Sequence, residues 1–192
     1  MLSDEFADAL GPQWRAIGGL AVRAQGGLRP VGPKPAPQQY IGGGIISQAS
    51  IQPGEVFEFS AAVRIQRFTD EVWVQLVVTD DPTFDTNPQA ISRGHELVYW
   101  IQGSQLKAAL PDGQVVVNEP LKTPDRLDLS VRMNQRTAVL KLGNRERPLY
   151  VGPHGLAQDQ PRYFGIRFQL RGPDRLDPLT VESVRLLKPS KP

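Results

Sequence analysis

The chain has 192 residues, no cysteine, two histidines and a net charge of +2, from 22 Lys+Arg against 20 Asp+Glu. Without cysteine there is no disulfide framework and no thiolate metal site, and His95 and His154 are too distant in sequence to suggest a His-based metal cluster. The charge is mixed along the chain, which gives nucleic acid no basic block to hold, and no apolar run approaches the roughly 18 residues of a membrane span.

Glycine and proline each number 18, an excess that suits a fold with many turns. The length suits one large domain, here expected over 1–192 with a Pro-rich surface loop at 29–38. The opening MLSDEFADAL has acids where a signal peptide would carry a basic region, and no apolar core follows it. The compartment stays open, and extracellular, cell-surface and virion settings all fit.

Read in order, the opening residues are expected to enter extended, because Phe6 stands where a capping box needs Glu or Gln. Trp14–Ile17 and Leu20–Arg23 are short strand candidates. RPVGPKPAPQ, at 29–38, reads as a loop because proline removes ladder donors. Tyr40–Ile41 and Ile45–Ser47 flank Gly42–Gly44, which reads as a bend or a close backbone approach. Alternation then marks Phe57–Ile65 and Val72–Val78 as strands. Asp80–Gln89 reads as a polar loop. Glu96–Gln102 and Gln105–Leu110 flank Gly103–Ser104, a two-residue hairpin turn. Val115–Val117 follows the turn at Pro111–Gly113. Leu127, Leu129, Val131 and Met133 alternate strictly with polar residues, and Gln135–Arg136 reverses the chain into Thr137–Leu142. After a short strand at Pro148–Val151, Tyr163–Arg171 pairs with a run from Leu179. Leu179 and Val181 hold one phase of that run and Val184 and Leu186 the other, which demands a β-bulge near Glu182–Ser183. No segment shows helical periodicity. The expectation is an all-β, two-sheet antiparallel β-sandwich of about a dozen short strands.

Three stretches carry a family resemblance. Asp4, Phe6 and Trp14 resemble the opening of concanavalin A-like domains. RLDLSVRMNQRTAVLKLGN resembles their late hairpin, and YFGIRFQL with LTVESVRLL resembles their last two strands. The resemblance implies a jelly roll of two curved sheets, often with carbohydrate bound on the concave face or rim loops. It also implies membership of a superfamily that spans lectins, laminin G-type modules, laminarinase-type hydrolases and structural modules, so the fold does not choose the function.

Laminarinase-type enzymes of this fold place three carboxylates on one strand face. No such pattern exists here; Glu55 and Glu58, the nearest approach, point to opposite faces. There is no G-x-S-x-G elbow and no H-E-x-x-H. The loop TDDPTFDTNPQ offers oxygens from Asp80, Asp81, Asp85 and Asn87 that suit calcium, but the same residues make an ordinary turn, which is the preferred reading. Trp73, Trp100 and Tyr163 fall on the polar phase of their strands, with Gln75, Glu96, Gln102 and Arg167. Rings among amides and charges can stack on a neutral sugar while polar groups bind its hydroxyls; the competing reading is that other segments cover these rings. The expected function is therefore a non-catalytic, lectin-like module binding a glycan or cell-surface polysaccharide, with no required cofactor. The alternatives are a structural protein that self-associates or docks to a larger assembly, such as a viral decoration or tail domain or an adhesive unit, and a sugar-processing enzyme with an unrecognised site.

Overall fold

The computed structural model describes residues 2–7, 10–19, 21–31, 39–81, 94–123, 125–143, 145–171 and 179–188. Among these, every regular element is a strand. One antiparallel sheet has eight strands: β1 (Leu2–Asp4), β3 (Ala21–Ala24), β4 (Leu28–Val31), β6 (Phe57–Ile65), β11 (Arg126–Met133), β12 (Thr137–Leu142), β13 (Tyr150–Pro153) and β15 (Leu179–Leu187). Their order is β13-β12-β11-β6-β15-β4-β3, and β1 also pairs with β15. The other sheet has seven: β2 (Trp14–Gly18), β5 (Tyr40–Ser47), β7 (Val72–Thr79), β8 (Glu96–Gln102), β9 (Gln105–Ala109), β10 (Val115–Pro120) and β14 (Tyr163–Arg171), in the order β10-β9-β8-β7-β14-β5-β2.

Strand alternation decides which face each sheet buries. Phe57, Phe59, Val63, Leu129, Val131 and Met133 of the eight-stranded sheet meet Val74, Leu76, Phe164, Ile166 and Phe168 of the seven-stranded sheet in one apolar core. Phe164 is its hub: its ring lies edge-on to Phe57 at 4.8 Å and tilted against Phe59 at 5.4 Å. The hairpin of β11 and β12 forms in the expected register, Leu129 opposite Leu142 and Val131 opposite Leu140. Leu127, expected in the core, is only half-buried, at the end of the strand. The bulge in β15 falls between Val181 and Ser183. It places both apolar phases of that strand on the core side, with Val181 and Val184 alike buried.

The opening residues are tied down by one carboxylate. Asp4 accepts the backbone N–H of Phe6 at 2.8 Å, the Gln13 amide at 2.9 Å and the Trp14 indole N–H at 3.1 Å. Phe6 holds the left-handed conformation at φ 51°, uncommon for a bulky residue. Its buried ring against Trp14 and the Gly27 N–H on its carbonyl hold it there.

Two expectations need correction. The Pro-rich stretch is not loop from its start, because Leu28–Val31 forms β4. That strand meets β15 only at Leu28, so Pro30 faces no partner on that side and costs no ladder bond there. Residues 32–38 lie outside the described residues. Gly42–Gly44 is not a bend either, since β5 runs unbroken through it and pairs with β14 at all three glycines.

Candidate functional site

Strand register gathers the expected site residues on the outer face of the seven-stranded sheet, the face turned away from the core. Strands β7 and β8 pair directly. One row across the strands reads Ile17, Gly44, Arg167, Gln75, Trp100, Lys107. The next reads Gly42, Gln169, Trp73, Gln102, Gln105. On the other side, Tyr163, Thr79 and Glu96 form the far row.

Position on a face does not make a residue accessible. Gln75 is 0% exposed, Arg167 1%, Trp100 2% and Glu96 4%. The open platform expected of both indoles is therefore not formed at Trp100. Its ring packs with Ile46, Val77, Val98 and Ala109 in a second apolar cluster, flanked by Ile17 and Tyr163. Trp73, Gln102 and Tyr163 are the three expected site residues that keep partial exposure.

A polar chain runs through this buried layer. The Arg167 guanidinium donates to both Glu96 oxygens, Nη1 to Oε1 at 3.2 Å and Nη2 to Oε2 at 3.0 Å, and its Nε donates to Gln75 Oε1. Arginine can only donate, so Gln75 must turn its oxygen to Arg167 and its amide nitrogen away. That nitrogen donates to Gln169 Oε1 at 3.4 Å. The charged pair thus fixes the orientation of both glutamines and leaves Gln169 Nε2 as a buried donor without a hydrogen-bond partner.

Beyond Gln169 the face opens. The Tyr40 ring stands edge-on to Trp73 at 6.2 Å, and the Arg171 guanidinium lies 5.6 Å from the Tyr40 ring centre. Trp73 donates its indole N–H to the Asp70 carbonyl at 3.0 Å, which fixes the ring. Gln102 and Gln105, cross-strand partners in the hairpin, add two half-buried amides. Of this group Tyr40, Gln105 and Arg171 were not expected. Gln105 could have been found from the two-residue turn; Tyr40 and Arg171 meet only because β5 pairs with β14.

At the opposite end, beyond Thr79 in the sequence, lies Asp80. One carboxylate oxygen bonds His95 Nδ1 at 2.9 Å and the other accepts the Ala157 N–H at 2.9 Å. Both oxygens of Asp80 are thereby engaged, and no group of three or more metal-ligating side chains occurs among the described residues. Asp85 and Asn87, the other half of the calcium alternative, lie outside the described residues.

Nearby, His154 is buried. Leu156 N–H donates to its Nδ1 at 3.0 Å, so the ring proton sits on Nε2, which donates to the Gln135 carbonyl at 2.9 Å. Burial pushes its pKa below 6.5, assisted by the Arg162 charge and opposed by the Gln135 bond and Asp80. Such a histidine binds its proton more readily once unfolded. Stability should therefore fall as pH drops through the ordinary range near 6.5 and level off below the depressed folded value. Urea midpoints at about pH 7.5 and about pH 5 should differ more in the native protein than in His154→Gln. Equal differences would show that His154 does not set this slope.

No family model matches the chain, and no curated protein does. Solved structures do. The carbohydrate recognition domain of Emp46p superposes with a TM-score of 0.69 at 11% identity, covering 96% of this chain and 94% of that one. The exoplasmic/lumenal domain of VIP36, in its Ca2+- and Man3GlcNAc-bound form, gives 0.65 at 12% identity, covering 96% and 86%. A glycoside hydrolase family protein from Mycobacterium thermorestibile gives 0.65 at 14% identity, covering 97% and 99%. The fold is concanavalin A-like. At these identities the likeness is one of fold alone, and concanavalin A-like sandwiches of both binding and hydrolytic proteins share it.

Proposed function

We propose that this concanavalin A-like sandwich is a non-catalytic, glycan-binding module, and that a neutral sugar chain rests on the open end of the seven-stranded sheet. The observation that carries the reading is the group of Tyr40 and Trp73 rings beside the Gln102 and Gln105 amides. Aromatic faces take the C–H side of a pyranose while amides serve its hydroxyls. Trp73, Gln102 and, further along, Tyr163 are the contacts; Gln75, Glu96, Trp100 and Arg167 hold the surface beneath them. The carbohydrate recognition domains of similar fold give further support.

A two-carboxylate glycosidase site fits this face poorly. Among the strands of this sheet, Glu96 and Glu119 are the carboxylates. Glu119 pairs with core-facing Leu106 and Glu96 is locked against Arg167, which leaves Asp70 and Glu71, just before β7, as the acids bordering the open end. Hydrolysis needs two carboxylates, one of them free to exchange protons.

Trp73→Ala should abolish glycan binding on an array, with and without calcium, while costing only about 1 kcal/mol of stability, as expected for a half-buried ring near the surface. Native protein that binds no glycan class above background would overturn the reading.

A further inference from the structure

The outer face of the other sheet holds a second candidate surface. Its strands present Glu58, Ser60, Ala62 and Arg64 from β6, Arg126, Asp128, Ser130 and Arg132 from β11, Thr137, Val139 and Lys141 from β12, and Ser183 and Arg185 from β15. Two grooves lie here. One, of about 330 Å³, is lined by Glu58, Ser130, Arg132, Thr137 and Lys141 among others. The other, of about 280 Å³, is lined by Ser60, Ala62, Arg126, Asp128 and Arg185. They abut along one cross-strand row, Arg185, Ser60, Ser130, Lys141. Three strand spacings of about 4.8 Å put the cations at its ends about 14 Å apart, with serines between them.

Charge on this face is unevenly compensated. Glu182 bonds both Arg64 and Arg126, and Asp128 lies 3.2 Å from Arg126. Arg132, Lys141 and Arg185 are exposed and make no ion pair among the described residues. The remaining carboxylate, Glu58, stands opposite Arg132 in the register without pairing to it. Three cations against one carboxylate favour an anionic occupant.

We infer that a segment of an anionic polysaccharide, carrying sulfate or uronate groups, binds across this face. Arg185, Lys141 and Arg132 meet its acidic groups and Ser60 and Ser130 its hydroxyls. The outward positions of β6, β11, β12 and β15 carry no aromatic ring, so single-stranded nucleic acid would find no stacking platform. The row lies in the middle of a sheet whose backbone is already paired, so an extended peptide would find no edge to extend.

The test measures binding of a sulfated heparin oligosaccharide and of an oligogalacturonate, at low and at physiological salt. The arms compare native protein, Arg132→Ala/Lys141→Ala/Arg185→Ala, and a control of equal charge change, Arg15→Ala/Arg136→Ala/Arg147→Ala. At least one probe should bind, more weakly as salt rises. The site variant should lose about tenfold in affinity, the sum of three exposed charge contacts, with an unchanged melting temperature. The control variant and Trp73→Ala should bind as the native protein does. Binding of neither probe would overturn the inference. So would equal loss in the control variant, or poly-L-glutamate or oligo-dT binding as tightly as the sugars.

Discussion

Replacing Arg167 with methionine is expected to destabilise the protein by about 3–5 kcal/mol, the range for removing one partner of a buried ion pair. The change takes two charge-assisted hydrogen bonds from Glu96 and one from Gln75, in a layer where both carboxylate and amide are almost wholly buried. Replacing Glu96 by leucine in the same chain should recover most of the loss, because an apolar pair costs no desolvation. Urea unfolding of the single and double variants decides the matter. A loss under about 1 kcal/mol for Arg167→Met would mean that the pair is solvated, as surface ion pairs are.

Trp100→Ala should cost about 3–5 kcal/mol, as for a large ring removed from a packed site. Trp73→Ala, on the same face and the neighbouring strand, should cost only about 1 kcal/mol. The contrast follows from surroundings: Trp100 packs among Ile46, Val77 and Val98, whereas Trp73 stands at the rim with Tyr40. Unfolding free energies of the two variants, taken together, test the partition of this face into support and contact. Similar costs for both would remove it.

Strand phase was readable because alternation needs only local sequence. It put Trp73, Gln75, Glu96, Trp100, Gln102, Tyr163 and Arg167 on the polar phases of their strands, which the pairing of β14, β7 and β8 then joins into one face, and it located the β15 bulge to within a residue. What lies above a face is a tertiary fact, so alternation left open which rings are covered, as Trp100 is, and gave no sign of the burial of Arg167. The Arg167–Glu96 bond joins β14 to β8 with β7 between them, and only the sheet order reveals it. An arginine and a glutamate on the polar phases of otherwise apolar strands were a usable hint. Pro30 and the glycines were misread as loop and bend because both residue types usually interrupt strands; here Pro30 leaves no donor unmet towards β15, and the other half of the glycine expectation, a close backbone approach, holds at Gly44.

Gly44 limits how this surface could be redesigned. A Cβ there would run into the Ile166 carbonyl oxygen and come within 2.9 Å of the Arg167 Cα, both parts of the backbone that cannot step aside. Diversity introduced at that position would be lost at folding, before any selection for ligand could act. New specificities for the seven-stranded sheet would have to be written on its flanks, at Ile17 on one side and at Trp73, Gln102 and Gln105 on the other, with a bare stretch of main chain kept between them.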